Sequence, residues 1–142
     1  MVTTVIDSNV LIALWNPDEA MNSAAEAAVE SAYTTGKLIV PAPVVAELMA
    51  GSGRTEEFVD SFLRDTGIVV EWHVQERIWR AAGRAFQSYA HRRRRDGGSY
   101  PRRILADFVI GAFAHENGYH LLTLDQTVYR TAFPKLKLLT VA

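Results

Sequence analysis

Four acids stand out by type and place: Asp7 after the β-branched run Val2-Thr3-Thr4-Val5-Ile6, Glu47 between Ala46 and Leu48, Asp107 within Ile104-Leu105-Ala106-Asp107-Phe108-Val109-Ile110, and Asp125 after Leu122-Thr123-Leu124. Asp7 alone reads as a helix cap and Asp125 alone as a turn residue. Glu47 and Asp107 are harder to assign to a surface, because an acid on a largely apolar helix needs a partner once it is buried. If the four met, each charge would raise its neighbours' pKa, and a hard divalent cation such as Mg²⁺ or Mn²⁺ would remove the repulsion. A cation held there activates water and neutralises charge on a phosphate oxygen during in-line displacement. These acids are therefore the candidate metal ligands and catalytic residues.

Bringing them together requires a particular order of elements. Val2 to Ile6 reads as a buried strand, followed by a helix from Val10 to Trp15 that Ser8 or Asn9 could cap and Pro17 stops. Apolar residues at helical spacing predict a second helix from about Asp18 to Gly36. Strand Leu38-Ile39-Val40 ends at Pro41, and Pro43 suits the first turn of a helix carrying Glu47. Thr55 opens a helix with Phe58, Val59, Phe62 and Leu63, and Gly67 turns into strand Ile68-Val69-Val70. A helix from His73 to Tyr89 follows. His91 to Ser99 reads as a mobile basic loop, because four consecutive arginines run into Gly97-Gly98. A helix from Pro101, a strand Tyr119 to Thr123, a helical turn at Val128-Tyr129 and a last strand Leu136 to Val141 complete the chain.

Short apolar strands alternating with amphipathic helices imply an α/β fold, a parallel sheet with helices on both faces. Ligands in such sheets collect at the carboxyl ends of strands. Asp7 and Asp125 follow the first and fourth strands, Glu47 lies one helical turn past the second, and Asp107 opens the helix that feeds the fourth. All four converge if the first and fourth strands are neighbours.

The chain has 142 residues, 49% apolar and 22% charged, which suits one domain over 1–142 with a proper core. It has no cysteine, which excludes disulfides, zinc-thiolate sites and a cysteine nucleophile and fits a reducing cytoplasm. No signal peptide or membrane span is expected. The formal charge of -1 hides an asymmetry: nine of fifteen cations lie between Arg77 and Arg103, all arginine, with Asp96 the only acid. Arg92, Arg93, Arg94 and Arg95 precede the helix that carries Asp107 and, with Arg102 and Arg103 across the loop, are candidate contacts to nucleic-acid phosphates. His73, His91, His115 and His120 form no pair at metal-ligand spacing, and Trp15, Trp72 and Trp79 are expected in the core or at an interface.

Together, Asp7-Ser8-Asn9-Val10-Leu11, Pro43-Val44-Val45-Ala46-Glu47-Leu48, Asp107-Phe108-Val109-Ile110-Gly111-Ala112 and Leu122-Thr123-Leu124-Asp125 resemble the PIN-domain signature, most closely that of VapC-type toxins of toxin–antitoxin pairs. The resemblance implies a three-layer α/β/α fold with a mostly parallel sheet of four to five short strands. It implies a Mg²⁺- or Mn²⁺-dependent endoribonuclease with Asp7, Glu47, Asp107 and Asp125 as metal ligands, and Asn9 and Thr123 orienting those carboxylates or a water. It also implies an RNA substrate, a cognate antitoxin laid across the acidic pocket, with Leu11, Leu14 and Trp15 among its contacts, and a homodimer. Many relatives carry a further acid and then an aromatic just after the last motif; here Thr127 and Val128 follow Gln126 and the aromatic is Tyr129.

Two other readings compete. One is a catalytically weak nucleic-acid-binding module of the same fold. The other is a phosphatase or phosphotransfer domain using Asp7 as phosphoryl acceptor, which would want a second Asp near position 9, where Asn9 stands, and a lysine from a late strand.

Overall fold

The computed structural model describes residues 1–51, 53–95 and 105–141. Strands β1 (Val2–Ile6), β2 (Gly36–Pro41), β3 (Ile68–Glu71), β4 (His120–Thr123) and β5 (Leu138–Thr140) form a five-stranded sheet in the order β3-β2-β1-β4-β5. Every pairing is parallel. Val5, Ile6, Leu38, Val40, Leu121 and Leu122 are buried, as expected for strands covered on both faces.

Helices α1 (Ser8–Leu14), α2 (Asn22–Thr35), α3 (Ala42–Met49) and α4 (Glu56–Asp65) connect β1 to β2 and β2 to β3. Helices α5 (Glu76–Arg95) and α6 (Leu105–Glu116) return the chain to β4, and α7 (Thr127–Ala132) leads to β5. Right-handed crossovers running in opposite directions from β1 place α1 to α4 on one face and α5 to α7 on the other, giving the three-layer architecture. The reversal of direction falls between β1 and β4, which pair through Val5 with Leu121 and Ile6 with Leu122. At that edge α3 of one layer also contacts α6 of the other.

Local chemistry sets the boundaries. Thr55 caps α4 by accepting from Phe58 N at 3.1 Å. Pro43 sits in the first turn of α3, where its missing N–H leaves no bond unmade. The second helix starts at Asn22 rather than near Asp18, because Asn22 Nδ2 donates to the carbonyls of Ala13 and Leu14 at 2.8 and 3.2 Å and so closes α1.

Several expectations are corrected. His91 to Arg95 are not loop: α5 continues through Arg95. Arginine is a good helix former, and cations at a helix C-terminus oppose the negative end of the helix dipole. The remainder of the expected loop, with Arg102 and Arg103, lies outside the described residues. Leu11 is fully buried and cannot contact a partner, whereas Leu14 and Trp15 are half-buried. Of the two places expected for Trp72 and Trp79, exposures of 65% and 48% exclude the core and leave the interface. Among the described residues no helix is long and apolar enough to cross a membrane.

Candidate active site at the β1–β4 switch point

Asp7 leaves β1 without leaving the sheet, since its backbone N–H donates to Leu122 O at 3.0 Å. This aims a carboxylate, 3% exposed, into the gap between β1 and β4. Oδ2 accepts from Tyr129 Oη at 2.8 Å and from Thr123 Oγ1 at 2.9 Å. Burial raises the Asp7 pKa, and the hydroxyls of Tyr129 and Thr123 and the contacts from Ser8 only partly oppose it.

Glu47 reaches the same place from α3, where its Oε1 accepts from Ser8 Oγ at 2.9 Å. Burial pushes its pKa up, the Ser8 hydroxyl opposes, and the Asp7 charge adds to the rise. Asp107 enters from the first turn of α6, with Tyr129 Oη 3.4 Å from its Oδ1. Burial first, then the charges of Asp7, Glu47 and, less, Asp125 push Asp107 up to about 7, against the Tyr129 hydroxyl. Three acids from three separate elements thus repel one another at the predicted edge.

Asp125 stands farther out. It is exposed, and its Oδ1 accepts from Thr127 N at 3.0 Å at the start of α7, so it serves as a turn residue whose charge is felt at Asp107. Thr123 and Asn9 hold the strand end in place. The single Thr123 hydroxyl proton goes to Asp7, and its oxygen accepts from Asp125 N at 3.2 Å and Asn9 Nδ2 at 3.4 Å. Asn9 Oδ1 accepts from Leu124 N at 3.2 Å. The side chains of Ser8 and Asn9 are therefore engaged across the site, and neither makes a capping bond on α1, whose N-cap position Asp7 occupies.

Tyr129 and Ser8 were not identified as site residues from sequence. Tyr129 is 2% exposed, and burial together with the charges of Asp7 and Asp107 drives its pKa far up, so it stays a protonated donor. Its position soon after the last motif was a signal; its partner was not. At the rim, Arg92 lies on the last turn of α5 with a guanidinium nitrogen 3.5 Å from Thr131 O of α7, and Arg93 is exposed. The side chains of Arg94 and Arg95 lie outside the description.

The donor chemistry suits a hard cation: all-oxygen, with mutual repulsion among Asp7, Glu47 and Asp107 that a positive charge would relieve. Among the described residues, however, no group of three or more acids or histidines is gathered as it would be around an ion. Hydrogen bonds from Tyr129, Thr123 and Ser8 hold Asp7 and Glu47 instead.

Comparison with known proteins bears on the fold and the family. No curated protein matches the chain in sequence. A toxin–antitoxin complex from Klebsiella pneumoniae is 16% identical, with 98% of each chain covered and a TM-score of 0.68. VapBC2 from Rickettsia felis, bound to a DNA fragment from its promoter, is 15% identical over 98% of each chain, with a TM-score of 0.65. VapC20 of Mycobacterium tuberculosis, a sarcin-ricin loop cleaving toxin, is 16% identical over 88% of this chain and 92% of that one, with a TM-score of 0.58. These likenesses concern the fold. The PIN domain pattern itself matches residues 4–134, through every element that contributes an acid to the pocket, and the chain belongs to the PIN domain family.

Proposed function

We propose that the chain is a Mg²⁺- or Mn²⁺-dependent endoribonuclease and the toxin of a toxin–antitoxin pair. One observation carries this reading: Asp7, Glu47 and Asp107 come from three elements to the β1–β4 edge, where burial raises the pKa of each, the Asp7 charge adds to the rise at Glu47, and the charges of Asp7 and Glu47 add to it at Asp107. Asp7, Glu47 and Asp107, with Asp125 at the mouth, would hold the cation. When bound, it would supply an activated water and charge neutralisation at the scissile phosphate. The chain's own part is positional. Tyr129 and Thr123 fix Asp7, Ser8 turns Glu47 inward, and Asp107, pushed up to about 7, holds a proton near neutral pH that an entering positive charge would displace. Arg92 and Arg93 lie where they could meet substrate phosphates beside a carboxylate cluster that would otherwise repel RNA.

Solved relatives are complexes of toxin and antitoxin, which supports an antitoxin as partner here. A groove of about 590 Å³ between α2 and α4, floored by Leu14, Val29, Tyr33 and Phe62, would take an apolar segment of it. A homodimer and a cytoplasmic location belong to the same reading.

The test is incubation of purified protein with structured RNA in Mg²⁺, in Mn²⁺ and in chelator, beside Asp7→Asn and Asp107→Asn. Cleavage that needs metal and vanishes in both variants is expected. Binding without cleavage under every condition would turn the assignment toward a nucleic-acid-binding module.

A further inference from the structure

Outside the pocket, one helix carries a charge pattern that the proposed chemistry does not use. Helix α5 holds seven arginines and one acid, Glu76, which pairs with Arg80 at 2.6 Å. With 100° per residue, Arg80, Arg84, Gln87 and His91 fall on one face, and all four are exposed. Trp79 borders that face with 48% of its surface open. Gly83, one turn further on, is exposed, and a Cβ built there would meet nothing within 4 Å. Side chains on a helix lean toward its N-terminus, so a longer residue at position 83 would cover the indole; glycine leaves its face open.

The stripe also points somewhere. From Trp79 to His91 it spans about 18 Å at 1.5 Å per residue. Beside its far end, about 100° round the helix from His91, Arg92 touches α7, the helix that presents Tyr129 to Asp7.

We infer that the exposed face of α5, with Trp79 as a stacking platform and Arg80 and Arg84 as phosphate contacts, is a track for single-stranded RNA leading to the pocket. Cations along a groove with an aromatic on which bases stack are what sequence-tolerant single-strand binding requires. A second copy of the chain is the poorer occupant, because a two-fold contact through this face would set arginine against arginine. The track rests on the reading of the chain as an RNA-acting protein, and its test separates the two.

Binding of a labelled oligouridylate to the full chain in chelator, where cleavage is off, is measured across a salt series for wild type, Trp79→Ala, Trp79→Phe and Arg84→Gln. Both positions are exposed, so the variants should fold, which circular dichroism checks. Trp79→Ala should weaken binding about tenfold and Trp79→Phe should restore most of it. Arg84→Gln should lower the slope of log affinity against log salt by about 0.7, one phosphate contact. Affinities and slopes unchanged from wild type would overturn the track while leaving cleavage intact. A change in sedimentation of Trp79→Ala with unchanged RNA affinity would overturn it too, in favour of a contact between copies. Dependence on Trp79 and Arg84 in a protein that never cleaves would uphold the track and remove the nuclease assignment.

Discussion

The Tyr129 hydroxyl donates to Asp7 Oδ2 at 2.8 Å, joining residues 122 positions apart at a carboxylate shut away from solvent. Tyr129→Phe keeps the ring and removes a donor to a charged group, which should cost about 2 kcal/mol at neutral pH. Because the hydroxyl favours ionised Asp7, its loss raises that pKa further, and the acidic limb of the cleavage profile should move to higher pH. Urea unfolding and a pH–rate series check both; a limb that stays in place would mean that Tyr129 does not govern the charge on Asp7.

Stability without metal should fall as pH rises toward neutrality. Asp107 holds its proton up to about 7 in the folded chain against 3.8 for a free carboxyl, so the folded state binds more protons between those values and loses stability as they leave. Asp7 and Glu47 shift in the same direction. Discounted for solvent screening, the effect at Asp107 is about 2 kcal/mol, or about 6 °C in Tm, over that window. Thermal unfolding in chelator should show this decline, Asp107→Asn should flatten it, and Mn²⁺ at pH 7 should reverse it.

Ser8→Ala should separate orientation from folding. The Ser8 hydroxyl is 2.9 Å from Glu47 Oε1, and Glu47 is only half-buried, so its release costs little stability. An unheld Glu47 should raise the Mn²⁺ concentration giving half-maximal cleavage about tenfold. An unchanged metal midpoint would show that the hydrogen bond does not orient Glu47 for the ion.

Gly111→Ala tests the packing behind the pocket. A Cβ at Gly111 would lie 2.4 Å from Phe133 Cε2, and that ring is confined near Phe108 and His115. Overpacking of this kind should cost about 1–3 kcal/mol. Phe133→Leu in the same chain should return part of the loss in a denaturant titration.

Much of the fold was legible because its signals are local. β-branched runs ending on Pro41, or on the acid Asp7, announce strands, and Thr55 before Glu56 and Glu57 announces a capped helix. The four acids stand out for the same reason, since a carboxylate at a strand end or within an apolar helix is conspicuous, and the structure brings Asp7, Glu47 and Asp107 to one edge. The course of α5 misled because Gly97-Gly98 outweighed the helix propensity of the arginines before it. Trp72 and Trp79 were open between core and interface because hydrophobicity does not say which face of an element is covered; their exposure excludes the core. Tyr129 and Ser8 could be placed on their elements but not given their partners: Asp7 and Glu47 lie on distant elements, which only the β1–β4 pairing and the packing of α1 on α3 bring to them.

The placement of β1 between β2 and β4 bears on how the molecule comes into being. A chain growing from its N-terminus acquires Asp7 and Glu47 early, but β1 lacks one neighbour until Asp107, Thr123 and Tyr129 have been made. Products of synthesis interrupted before β4 therefore carry half a pocket and an open strand edge, and the site is complete only once Tyr129 has followed Thr123.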